Sequence, residues 1–237
     1  DMPAEGLGHG SGNRRERTFE RYGAALVAAW RGDETNEETN EEGNEGRHSG
    51  VARPFLYDGA WDALRALRFV TRGDDYGDLT DPSRVAISGI SLGGMYAWLA
   101  GAADPSVVTG AVAPIIGVQQ FAWGLLNQSW RARVDSLPPA LVATAAQDLK
   151  GNMRAVDAEL VGAVYRRICP GLIDELDGPS SLPLIAPRPL LVVNGELDPR
   201  CPYPGLMNAV TETRAAYASA NKDNLFRTLV QRDTPHM

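Results

Sequence analysis

Apolar positions divide the 237-residue chain into helix-like and strand-like stretches that alternate. Phe19, Tyr22, Leu26 and Trp30 recur at helical spacing and predict a helix over residues 17–30. Trp61, Leu64, Leu67 and Val70 predict a second helix over 58–72, with these four on its buried face. Val85, Ala86 and Ile87 form a short apolar run suited to a strand covered on both faces. An abrupt glycine-rich turn comes next, then a helix that Asp104-Pro105 stops. Apolar, β-branched runs predict further strands over 107–116, 188–195 and 225–231, with a helix over 203–220 between the last two. Strands separated by helices predict a parallel α/β sheet within one domain covering residues 1–237.

Three stretches depart from this alternation. Residues 1–12 hold Pro3 and four glycines and predict a loop. Residues 32–50 form a near-repeat of Glu-Thr-Asn-Glu units with no aliphatic or aromatic side chain, which predicts a solvated surface insertion. Residues 117 to about 185 are helical and amphipathic, and an excursion of that length between two strands predicts a cap over the strand ends. Its aromatics Phe121, Trp123 and Trp130 suit either an acyl pocket or packing of the cap on the core.

At 43 % hydrophobic residues the chain can bury a sizeable core. The net charge of −7 is mostly local: residues 32–50 hold seven acids and one arginine, a net of −6, which leaves about −1 for the rest. Acidity therefore says little about partners. The sequence has no basic patch of the kind that binds nucleic acid and no apolar run long enough to span a membrane. Cys169 and Cys201 are too few for a disulfide framework, lie in no metal-ligand pattern, and read as free thiols. No metal or organic cofactor is implied.

The turn after Ile87 carries Gly89-Ile90-Ser91-Leu92-Gly93, the Gly-x-Ser-x-Gly pattern of a nucleophile elbow. A serine held in a strained turn needs neighbours without side chains, which Gly89 and Gly93 supply, while Gly94 lets the helix approach the sheet. A serine hydroxyl also needs a base, and the base needs an acid. Of three histidines, His9 precedes Ser91 and His48 lies in the acidic insertion, so His236, after the last strand, is the candidate base. Asp198, in the turn after the 188–195 strand, is the candidate acid; Glu196, two residues earlier, is the alternative. Asp233 lies on the histidine's own loop, where a local hydrogen bond is its expected role.

From about Phe55 to His236 the chain resembles the α/β-hydrolase superfamily, and within it the dienelactone-hydrolase and prolyl-oligopeptidase-like esterase branch. The resemblance lies in residues 55–62 (Phe-Leu-Tyr-Asp-Gly-Ala-Trp-Asp), residues 81–94 around the elbow, and residues 188–198. It implies nucleophile Ser91, acid Asp198, base His236, the Leu92 N–H as one oxyanion donor, and a small-molecule ester as substrate. A serine peptidase and a non-catalytic binding module are the alternatives. Such enzymes have eight strands and this sequence shows about four. The resemblance therefore implies a fragment that lacks the first strands and the loop carrying the second oxyanion N–H, leaves the elbow strand at an edge, and lacks the closing helix. On that view His9-Gly10 does not supply the second donor.

Overall fold

The computed structural model describes residues 11–32 (backbone only up to 19), 55–72, 76 and 79–236. Residues 1–10 of the loop expected over 1–12, most of the acidic insertion, His9, His48 and the Phe19 side chain lie outside the described residues; residues 11 and 12 are helical, not loop.

Four strands, β1 (Ile87–Ile90), β2 (Val112–Ile115), β3 (Leu190–Gly195) and β4 (Phe226–Gln231), form one sheet in the order β1-β2-β3-β4. All three pairings are parallel, as the alternation of elements predicts. The register aligns Ile90 with Ile115, Ile115 with Val193, and Gly195 with Gln231. All four strands therefore end on the same side, and the loops that leave them share one rim.

Two strands differ from expectation. The first begins at Ile87, not Val85, and Ile90 is 62 % exposed instead of covered on both faces, although the strand lies at the edge of the described sheet as the fragment reading expects. The second shrinks from 107–116 to Val112–Ile115. Local side-chain bonds accompany the later starts of both strands. The Asp104 carboxylate accepts bonds from the Ser106 N–H and hydroxyl at 2.9 and 2.7 Å. The Thr109 hydroxyl donates to Pro82 O and accepts the Val85 N–H. Short polar side chains thus take backbone partners that a ladder would have used.

Helix α3 (Leu92–Ala103) lies on β1 and β2 and is buried on nearly every side. Trp98, fully buried, donates its indole N–H to Ser181 Oγ at 3.1 Å, which satisfies the polar atom of the largest side chain in the core. Helix α2 (Tyr57–Arg72) packs on the outer side of α3. Its main neighbour among the described elements is α3, and its buried strip is narrower than its apolar face: Ala60 and Leu64 are buried, whereas Trp61 and Val70 are exposed. The Arg68 guanidinium stands 5.3 Å from the centroid of the Trp61 ring.

The excursion after β2 is helical, with α4 (Phe121–Leu126), α5 (Trp130–Val134), α6 (Pro139–Lys150), α7 (Ala158–Ile168) and α8 (Gly178–Ser181). Helices α6 and α7 pack on α1 (Ser11–Arg31), and α4 and α5 pack on α7. Helix α8 and the 3-10 turn Leu182–Ile185 pack instead on α3 and α9 (Tyr203–Ser219), so the last part of the excursion belongs to the layer covering the sheet. Asp177 joins the two parts. Buried, it accepts the N–H groups of Phe121, Ala122 and Gly178 at 2.7, 2.9 and 2.9 Å, at the starts of α4 and α8. Burial pushes its carboxyl above the usual range, against the three N–H donors that favour the charged form.

Candidate active site

Ser91 sits between β1 and α3 with φ 55° and ψ −114°, a backbone conformation costly for a residue with a side chain. Two backbone bonds over-determine it. Its N–H continues the ladder to Ile115 O at 2.9 Å, and its carbonyl accepts the Met95 N–H at 3.0 Å. The turn is possible because Gly89 has no side chain: a Cβ there would stand 2.2 Å from Gly93 O. A Cβ on Gly94 would stand 2.7 Å from Ile115 O. At Gly93, by contrast, a Cβ would meet nothing within 4 Å, so the steric need expected there is absent. Leu92 opens α3, and its N–H has no acceptor within the helix.

Asp198 follows β3 and is 2 % exposed. Its Oδ1 accepts the Arg200 and Cys201 N–H groups at 2.8 and 3.0 Å, leaving Oδ2 to accept from His236 Nδ1 at 2.7 Å. His236 Nε2 lies 2.8 Å from Ser91 Oγ. The imidazole is nearly buried, its side chain 11 % exposed. The loop that carries it is tied to the loop that carries the acid. Glu196 N–H donates to Gln231 O, Leu197 N–H donates to Thr234 O, and Asp233, at φ 51°, donates its N–H to Glu196 Oε2. Glu196 is therefore exposed and braces the histidine loop, and Asp198 is the carboxylate that meets the imidazole. The two loops can touch because residue 195 is glycine: a Cβ there would stand 2.3 Å from Thr234 O.

A parallel sheet thus presents a strained serine after one strand, an acid after the next but one, and a histidine after the fourth, all on one rim. The fold is of the α/β-hydrolase type.

No family model matches the sequence, and a comparison with curated proteins finds no match. Among solved structures, the chain is similar to a puromycin-hydrolysing peptidase of Mycobacterium tuberculosis (20 % identity over 78 % of this chain and 23 % of that one, TM-score 0.48). It is also similar to an acetyl xylan esterase of Paenibacillus sp. R4 (20 % over 75 % and 46 %, TM-score 0.46). A Pyrococcus furiosus esterase is a further match (14 % over 75 % and 52 %, TM-score 0.43). This chain spans about a quarter to a half of the lengths of those proteins.

The three aromatics singled out in the helical excursion divide. Phe121 is buried among Tyr165, 5.2 Å away between ring centroids, and the Arg133 guanidinium, so it packs the core. Trp123 is half-buried and lies against Gly205. Trp130 is half-buried and donates to Gln128 Oε1 at 3.2 Å.

Among the described residues, Asp198, Cys201 and His236 are the group whose ligand atoms come together, within 4.8 Å. Their chemistry does not fit a metal. The thiol donates to Ile116 O at 3.2 Å, and burial pushes its pKa up to about 12, so the thiolate that a metal needs is strongly disfavoured. Asp198 Oδ2 and His236 Nδ1 are already engaged with each other.

The three side chains that the structure brings together are those the sequence pattern singled out; their supports are not. Gly195 lets the β3 and β4 loops touch, while Asn194, Cys201 and Arg133 hold the acid loop through backbone carbonyls, and no chemistry in the sequence pattern marks those roles.

Proposed function

We propose that this chain is a serine hydrolase that cleaves carboxylic esters through an acyl-enzyme on Ser91. The observation that carries this reading is the unbroken hydrogen-bonded series from Ser91 Oγ through His236 to buried Asp198, at a serine whose backbone is held in a strained turn. His236 Nε2 takes the Ser91 proton as Oγ attacks the carbonyl carbon. Asp198 fixes the ring so that Nδ1 carries hydrogen and Nε2 faces the serine, and it balances the imidazolium that forms. The Leu92 N–H, at the start of α3, stabilises the developing oxyanion. The imidazolium then protonates the departing alkoxide. In the second half, His236 activates a water molecule that attacks the acyl carbon and frees Ser91.

The test is labelling with a fluorophosphonate probe followed by intact-mass analysis, with Ser91→Ala as control. One adduct, lost in the control, is the expected result. A folded chain that forms no adduct would overturn the reading. Turnover of an aryl acetate set against an aminoacyl anilide then separates ester from amide cleavage.

A further inference from the structure

We propose that Arg133, on α5, is a positioning residue for the acid loop and couples the helical excursion to the reactivity of Ser91. This rests on the hydrolase reading above.

Arg133 is 5 % exposed. Its guanidinium donates to Gln119 Oε1 and to the carbonyl of Arg200, and it stands over the Phe121 ring at 5.8 Å. None of these partners is a carboxylate, and no acid pairs with Arg133 among the described residues. Burying a cation without an opposite charge is expensive, and an apolar side chain of similar length would fill the same space. The site that this cation holds explains its presence.

The Arg200 carbonyl and the Cys201 N–H belong to one peptide group. That N–H donates to Asp198 Oδ1 at 3.0 Å. A guanidinium on the oxygen of a peptide polarises it and makes its N–H a stronger donor. Arg133 thus acts on Asp198 through a single peptide unit, and Asp198 acts through His236 on Ser91 Oγ. The other side-chain anchors of this loop hold residue 201: Asn194 Nδ2 donates to Cys201 O at 2.9 Å, and the Cys201 thiol donates to Ile116 O. Arg133 is the side-chain anchor on the Arg200 carbonyl, and it comes from outside the sheet. A shift of α5 therefore moves the acid loop.

The experiment compares Arg133→Met, Arg133→Lys and Arg133→Ala with the wild type. It reads the fluorophosphonate labelling rate of Ser91, kcat and KM on an aryl ester, and the downfield proton resonance of the His236–Asp198 bond. In Arg133→Met, labelling and kcat fall on the order of 10²-fold with KM little changed, the cost of a misplaced catalytic group. The downfield resonance moves or broadens, and guanidinium ion restores part of the rate in Arg133→Ala. Arg133→Lys keeps the charge but not the fork that spans Gln119 and Arg200, and it loses on the order of tenfold. If the methionine variant fails to fold, the lysine variant decides by the same readouts. Variants that label at the wild-type rate with an unmoved resonance would overturn the proposal and leave the hydrolase reading intact. A folded wild type without an adduct at Ser91 would overturn both.

Discussion

The elbow motif treats its two glycines alike, but the geometry does not, and a pair of substitutions separates them. In Gly89→Ala the new methyl would stand 2.2 Å from Gly93 O, 2.4 Å from Gly93 C and 3.0 Å from Gly93 Cα. Ordinary contact begins near 3.4 Å, so the first turn of α3 must retreat by roughly 1 Å. That turn cannot retreat freely. Gly94 already sits where a Cβ would meet Ile115 O at 2.7 Å, and the Ser91 carbonyl holds the Met95 N–H. Overpacking of this kind costs about 1–3 kcal/mol, and more where backbone meets backbone. In Gly93→Ala the methyl meets nothing within 4 Å, and the residue is the second of a helix, where alanine is favoured over glycine by up to the interior value of about 0.5–1 kcal/mol. The two variants should therefore differ by roughly 2–4 kcal/mol and bracket the wild type. Urea unfolding followed by circular dichroism measures this through the midpoints at unchanged slope. Equal midpoints, or a Gly93→Ala midpoint below that of the wild type, would refute the steric account of the elbow.

Asp198→Asn should slow Ser91 labelling by about 10⁴-fold, the usual order for the buried acid of such a triad. Glu196→Gln, which keeps an oxygen to brace the Asp233 N–H, should stay within a few-fold of the wild type; the reverse ranking would make Glu196 the acid. Gly195→Ala places a methyl 2.3 Å from Thr234 O, so it should push the histidine loop away and cost on the order of 10²-fold in labelling rate while the chain stays folded. The Asp104 carboxyl is held below the usual carboxylate range, first by its bond to the Ser106 hydroxyl and then by Arg68. Its contribution to stability is therefore present above the unfolded-state pKa of about 3.9 and fades as pH falls through the lower folded value. The denaturation gap between wild type and Asp104→Asn should accordingly narrow below about pH 4, and a gap that widens in acid would contradict the assignment.

The helices α2, α3 and α9 were legible because each has an apolar stripe at helical spacing or a buried run, and packing only trims its ends; the excursion that holds α6 and α7 was legible as helical only as a whole. Burial was harder to read. Trp61 and Val70 have the spacing of a buried face, yet among the described elements α2 packs mainly on α3, and the width of a contact strip depends on how many elements share it. Phe121 illustrates the reverse: its pattern allowed a pocket wall, and the nearby Tyr165 and Arg133 make it core. The strand limits around residues 85 and 107 escaped because Thr109 and Asp104 compete with the ladder through side chains, and hydrophobic periodicity is blind to that competition.

The same contrast explains which part of the site was legible. Ser91, Asp198 and His236 meet through side-chain atoms, so chemistry restricts what can stand there, and chain order does the rest. The groups that hold them work mainly through backbone. The end of β2 shows how much rests on such anonymous atoms. Ile115 O accepts the Ser91 N–H, and Ile116 O accepts the Cys201 thiol beside the acid. Ile116 itself sits at φ 44°, buried, with its N–H on Val193 O. Any apolar residue that tolerates this turn would offer the same carbonyls, so no motif marks it. Nucleophile and acid are nonetheless referenced to two consecutive carbonyls of one strand end, and the chain leaves that end directly for the segment that carries Gln119, Asp177 and Arg133. The distance between Ser91 and Asp198 is therefore set by the end of β2 and by that segment, and substitutions that disturb residues 115–119 should act on both partners at once.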